Sequence, residues 1–102
     1  LAPIQARLLP VSDEFLPFAK EVADKMRSLN IRAEADTSGE RLGKLIRNAE
    51  KDKIPVMGIV GAKEVETNSL SIRTRASGEL GAIPVPEVLE RLTNAISNYS
   101  NF

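Results

Sequence analysis

Ile54-Pro55-Val56-Met57-Gly58-Ile59-Val60 is nearly unbroken in apolar residues. A short run of this kind reads as a strand covered on both faces, as in a parallel sheet. A parallel strand needs a crossover before it, and the residues upstream supply one. Leu42, Leu45, Ile46 and Ala49 recur at helical spacing, with Arg41, Lys44, Arg47, Asn48 and Lys51 largely outside the stripe. Thr37-Ser38-Gly39-Glu40 fits a capping box at the start of that helix, Thr37 as cap and Glu40 reaching back. Ahead of it, Ile31, Ala33 and Ala35 alternate with Arg32, Glu34 and Asp36, which predicts a strand with one polar face or an edge strand.

The same unit repeats further upstream. Gln5 to Val11 reads as a strand, and Ser12 and Asp13 are suitable N-caps. Phe18, Val22, Met26 and Leu29 form the apolar stripe of a helix, and Asn30 can take the left-handed conformation that ends it. Strand, helix, strand, helix, strand in this order gives two βαβ crossovers.

Downstream the pattern changes. Val65 and Leu70 flank Glu66-Thr67-Asn68-Ser69, which predicts a hairpin turn. Leu70, Ile72 and Thr74 then alternate with Ser71, Arg73 and Arg75. Ser77 to Gly81 reads as a loop, and Pro84 and Pro86 suit the start of a last helix from Pro86 to Leu92 and beyond. Its stripe is Val88 or Leu89, Leu92, Ile96 and Tyr99, and Asn98 to Phe102 are expected to fray. The fold class is therefore α/β: three layers, a mixed sheet of about five strands and about three main helices. The chain reads as a single domain over residues 1–102, and its opening Leu1-Ala2-Pro3 suggests a fragment of a longer protein.

Composition narrows the chemistry. The 102 residues include no cysteine and no histidine. Disulfides and thiolate zinc sites are excluded, and so is the commonest general base near neutral pH. Catalysis by the domain itself would have to use carboxylates or lysines, and no Gly pattern matches a dinucleotide fingerprint or a P-loop. Asp13, Glu14, Asp36 and Glu40 sit where acidic helix caps are expected, so no metal site is assigned. No apolar run spans a bilayer. Fourteen basic and fourteen acidic residues give a net charge of zero, unlike a protein that grips duplex DNA along its length. An RNA partner would have to be read by a local cluster, as a few unpaired bases.

Two such clusters exist. A hairpin turn centred on Thr67-Asn68 puts Glu64 opposite Ser71, and one centred on Asn68-Ser69 puts it opposite Arg73; both gather Glu64, Glu66, Ser71, Arg73 and Arg75 on one face. Arg41, Lys44, Arg47 and Lys51 line the second helix. On pattern alone both are ordinary solvated faces, because exposed charge pairs seldom do more than keep a protein soluble.

A resemblance changes that weighting. Leu1 to Gln5, Pro10-Val11-Ser12-Asp13, Gly39-Glu40-Arg41-Leu42-Gly43-Lys44-Leu45-Ile46-Arg47, Gly61-Ala62-Lys63-Glu64-Val65-Glu66, Ile72-Arg73-Thr74-Arg75 and Gly78-Glu79-Leu80-Gly81 occur in the order found in a known family. Together they resemble the C-terminal anticodon-binding domain of class II aminoacyl-tRNA synthetases, threonyl-tRNA synthetase above all. The resemblance implies a domain that binds the anticodon loop of threonine tRNA and performs no chemistry itself. It implies a parent with a separate catalytic domain using ATP, Mg2+ and Zn2+, in the cytoplasm or in a chloroplast or mitochondrion, with no membrane or DNA partner and no cofactor in this domain. Carried over by position, the anticodon contacts are Arg47, Glu64 and Arg73, with Lys63 and Arg75 beside them and Gly39 and Glu40 at the start of the second helix. The family often has asparagine where this chain has Gly39, and its lysine is displaced by one position from Lys44. The alternatives are a non-catalytic RNA- or protein-binding module on the same fold, the equivalent domain of another class II synthetase, and a small doubly wound enzyme.

Overall fold

A computed structural model describes residues 4–75 and 77–97. The two crossovers are present: β1 (Ala6–Pro10), α1 (Leu16–Ser28), β2 (Ala33–Ala35), α2 (Leu42–Lys51) and β3 (Val56–Val60). Then come α3 (Ala62–Thr67), β4 (Ser69–Thr74), β5 (Gly78–Pro84) and α4 (Val85–Ser97). The strands form one sheet in the order β2-β1-β3-β4-β5. β1 pairs in parallel with β2 and β3, whereas β4 is antiparallel to both β3 and β5.

β3 is the hinge of this arrangement, because it is paired on both edges and covered on both faces. Val56 and Val60 pack with Ala6, Leu8, Leu70, Ile72 and Ile83 under α1 and α4. Met57 joins Leu9, Leu45 and Ala49 under α2 on the opposite face, with Ile59 partly buried against them. A right-handed crossover leftward to β2 and another back past β1 to β3 must place α1 and α2 on opposite faces. Val22 and Met26 of α1 and Leu45 and Ala49 of α2 are buried as their spacing predicts, and Phe18, Leu42 and Ile46 are partly buried against the same cores, but Leu29 is 47% exposed. There α1 has already ended, and Asn30 takes the left-handed turn with φ 64°.

Gly58 sits where the strands crowd. A Cβ there would stand 3.0 Å from Leu8 Cδ1 and 3.2 Å from Leu70 Cδ1. The missing side chain is the space that these two leucines fill from the neighbouring strands.

Three local expectations are corrected. Thr37 to Glu40 make no capping box: α2 begins at Leu42 after Arg41, Gly39 is left-handed at φ 73°, and the Asp36 carboxylate accepts the Ser38 N–H at 2.8 Å instead. Ser12 caps nothing with its side chain; Asp13–Phe15 form one turn of 3-10 helix before α1, which carries Pro17 in its first turn. Ser77 to Gly81 are not all loop, because β5 starts at Gly78. Leu92 and Val88 of α4 are buried as expected. The side chain of Ile96, Tyr99 and the expected fraying of Asn98 to Phe102 lie outside the described residues.

Replacing Gly58 with alanine should therefore overpack the strand junction and cost about 1–3 kcal/mol. Urea unfolding of the variant is expected to show a lowered midpoint with an unchanged slope, and an unchanged midpoint would mean that Leu8 and Leu70 have room to give.

Candidate RNA-reading face

A fourth correction creates the site. Ala62–Thr67 is a helix, not the first strand of a hairpin, and Asn68 closes it in the left-handed conformation at φ 52°. β4 therefore returns against β3 rather than against residues 64–66. Met57 faces Arg73 across that ladder, and Ile59 faces Ser71. Directly opposed residues share a face, so Ser71 and Arg73 lie on the α2 side of the sheet.

Among the described residues that side is only half covered. α2 packs over Leu9, Met57 and Ile59, while the long helix of the second half, α4, packs with Ile83 and Leu70 on the other side. Beyond α2, the β4–β5 part of this face presents Ser71 and Arg73, with exposed Ala82 opposite Ser71 and exposed Glu79 opposite Arg73.

α3 lies at the end of this open face, and Glu64 ties the two together. Its Oε1 accepts the Gly61 N–H at 2.8 Å, the returning half of a capping box. Its Oε2 faces Ser71 Oγ at 3.5 Å, the outer limit of a hydrogen bond. Glu64 is half-buried, which limits its rotamers, and each oxygen still has acceptor capacity left.

The cations differ in their engagement. The Arg7 side chain, 11% exposed, bonds Glu34 at 2.8 Å and Asp52 at 2.9 Å and is a structural tie among β1, β2 and the end of α2. Lys44 pairs with Glu40 at 3.5 Å. Among the described residues nothing pairs with the guanidinium of Arg47, Arg73 or Arg75, or with the Lys63 ammonium. Asn48 and Lys51 of α2 line a cleft shared with Glu34 and Asp36 near β2. At about 100° per residue, Gly43 falls on the flank of α2 opposite Asn48, toward the β3–β4 side, while Arg47, one turn before Lys51, faces outward from the sheet.

The predicted residues thus sort by place. Glu64, Ser71 and Arg73 share the open face, with exposed Lys63 one residue before Glu64 and exposed Arg47 on the outer side of α2. Arg75 is exposed just beyond β4, where its N–H bonds the Pro55 carbonyl at 3.0 Å. Gly39 and Glu40 lie in the loop before α2, in a groove of about 230 Å³ that also includes Val11 and Asp13. Gly39 is left-handed, the conformation that glycine and asparagine adopt most readily. Val11 connects the two regions, because its Cγ2 would be 3.4 Å from a Cβ at Gly61. Val11 and Gly61 were missed as site residues. The available signal was topological: the order β2-β1-β3 reverses between β1 and β3, and ligands of open α/β sheets bind outside the carboxyl ends of such strands.

This geometry, an open sheet face with free guanidinium groups beside a fixed carboxylate, can be compared with known proteins. The fold is shared with the RNA-binding domain of threonyl-tRNA synthetase from Cryptosporidium parvum, with TM-score 0.85 and 19% identity over 91% of this chain and 24% of that one. It is shared equally with histidyl-tRNA synthetase from Nostoc sp., with TM-score 0.84 and 20% identity over 93% of this chain and 23% of that one. Residues 5–95 match the family described as anticodon binding domain, and the chain belongs to that family. Its sequence is 68% identical to threonine–tRNA ligase from Synechocystis sp. over the whole chain, which spans 17% of that enzyme.

Glu64→Ala should release the Gly61 amide and loosen the start of α3, costing about 0.5–2 kcal/mol as other capping groups do. Hydrogen exchange at the Gly61 amide is expected to accelerate, while Lys63→Ala leaves it slow; equal exchange in both variants would show that the carboxylate does not hold it.

Proposed function

We propose that this chain is the anticodon-binding domain of a threonine–tRNA ligase and reads the anticodon loop of threonine tRNA. The observation that carries the reading is the pairing of whole-length identity with site geometry. The fold alone resembles threonyl and histidyl enzymes equally well, but the 68% identity is to a threonine enzyme.

The mechanism follows from the open face. Unpaired anticodon bases can lie against the sheet, where the Arg73 guanidinium is free to donate two parallel hydrogen bonds to a base edge or to stack on its plane. Glu64 accepts from a base amino or imino group with an orientation already set by Gly61 and Ser71. Arg47 approaches from the outer side of α2, with Lys63 and Arg75 as further charges. Gly39 has no side chain to offer, so the loop before α2 contributes its backbone or Glu40. A neutral domain reading a few bases this way needs no continuous basic surface.

Charging of the tRNA belongs, in this proposal, to a catalytic domain elsewhere in the parent, cytoplasmic or organellar. The ATP, Mg2+ and Zn2+ of the resembled enzymes are assigned, in the same proposal, to that other part. No helix among the described residues is long and apolar enough to cross a membrane.

Arg73→Ala and Arg73→Lys in the full-length ligase are expected to cost about 1–3 kcal/mol in binding threonine tRNA, with little further loss on an anticodon-swapped tRNA. A proportional loss on both tRNAs, with a reduced salt slope, would make Arg73 a phosphate contact. No loss on either would remove this face from the interface.

A further inference from the structure

Gly61 has φ −132° and ψ −169°, an extended conformation open to any residue. Its backbone therefore does not require glycine. The space around it does: a Cβ would stand 3.0 Å from Glu64 Oε1 and 3.4 Å from Val11 Cγ2. The first of these is closer than a side-chain carbon normally approaches, and the atom it meets is the oxygen that accepts the Gly61 N–H at 2.8 Å. A Cβ there would oblige the carboxylate to give by a few tenths of an ångström.

We infer that Gly61 is a positioning residue for anticodon specificity: its missing side chain lets the Glu64 carboxylate seat against the sheet, beside Ser71 and Arg73. The inference rests on the proposed reading of anticodon bases by Glu64. A hydrogen bond to a base edge tolerates only tenths of an ångström in heavy-atom distance. Glu64 is half-buried and anchored through Oε1 at the Gly61 amide, with Oε2 turned toward Ser71, so its seat, and not only its charge, sets where the acceptor lies. Alanine at 61 would leave the fold intact, because the atom it crowds is the end of a side chain that can move. The carboxylate would be displaced, and discrimination between anticodons would fall.

The test uses the full-length ligase with threonine tRNA and an anticodon-swapped tRNA. Gly61→Ala is expected to weaken cognate binding about 10-fold, the low end for one base contact, while binding of the swapped tRNA stays unchanged and the melting temperature falls no further than in Glu64→Ala. In a Glu64→Ala background the same substitution should add nothing. Glu64→Asp, which keeps the charge but cannot span from α3 to the Gly61 amide, should lose discrimination as Gly61→Ala does, and it serves as the readout if Gly61→Ala fails to fold. Wild-type discrimination in Gly61→Ala or in Glu64→Asp would overturn the inference, as would a further loss from Gly61→Ala when Glu64 is already absent. Unchanged cognate binding in Glu64→Ala alone would instead contradict the base-reading role of Glu64 itself.

Discussion

β3 must be covered on both faces and paired on both edges, and the rest of the molecule is arranged around that constraint. Met57 and Val56 point to opposite cores and both are buried. Parallel pairing with β1 demands a crossover helix on each face, which α1 and α2 supply. Antiparallel pairing with β4 on the other edge needs only a short connection, and α3 is enough for it. The second half then contributes a single long helix, α4, to the α1 side. Among the described residues half of the α2 side is left without cover. The open face is thus a consequence of topology, and the side chains there are free to serve a partner.

The cost of keeping those side chains ready is small because they are not deeply buried. Arg7 shows the contrast: at 11% exposure it is held by two carboxylates, because a guanidinium withdrawn from water needs partners. Arg73 remains partly in water and needs none until a ligand arrives. Glu64 lies between these cases. It is half-buried, and the Gly61 amide holds one of its oxygens in place while both keep acceptor capacity for a ligand. Preorganisation of that kind reduces the ordering cost of binding.

Much of the fold was legible because its signals are local. The stripes of α1, α2 and α4 follow from helical spacing, and the apolar run of β3 announces a strand covered twice. α3 was not legible for a physical reason. It has six residues and buries none of them, so it carries no periodicity; it is set instead by the Glu64 cap and by Asn68 in the left-handed conformation. Asn68 also suits a hairpin turn, so the same residue supported the wrong element. β5 was hidden by Gly78 and Gly81, which read as loop residues but supply positive φ beside an irregularity in the β4–β5 ladder. The face formed by Ser71 and Arg73 was read correctly despite the misplaced hairpin, because alternation along β4 does not depend on what precedes it. The seat of Glu64 at Gly61 was invisible in the sequence, since it depends on the distance between a helix and the strand before it.

Under the proposed function, RNA bases are read on the half-covered α2 side of the sheet. The most direct measurement is amide chemical-shift mapping of the 102-residue chain during titration with the anticodon stem-loop of threonine tRNA. The account predicts perturbations centred on Gly61, Glu64, Ser71 and Arg73, extending to Gly43 and Arg47, with the outer surfaces of α1 and α4 unmoved. Perturbations centred on α1 or α4, with Ser71 and Arg73 unchanged, would contradict it.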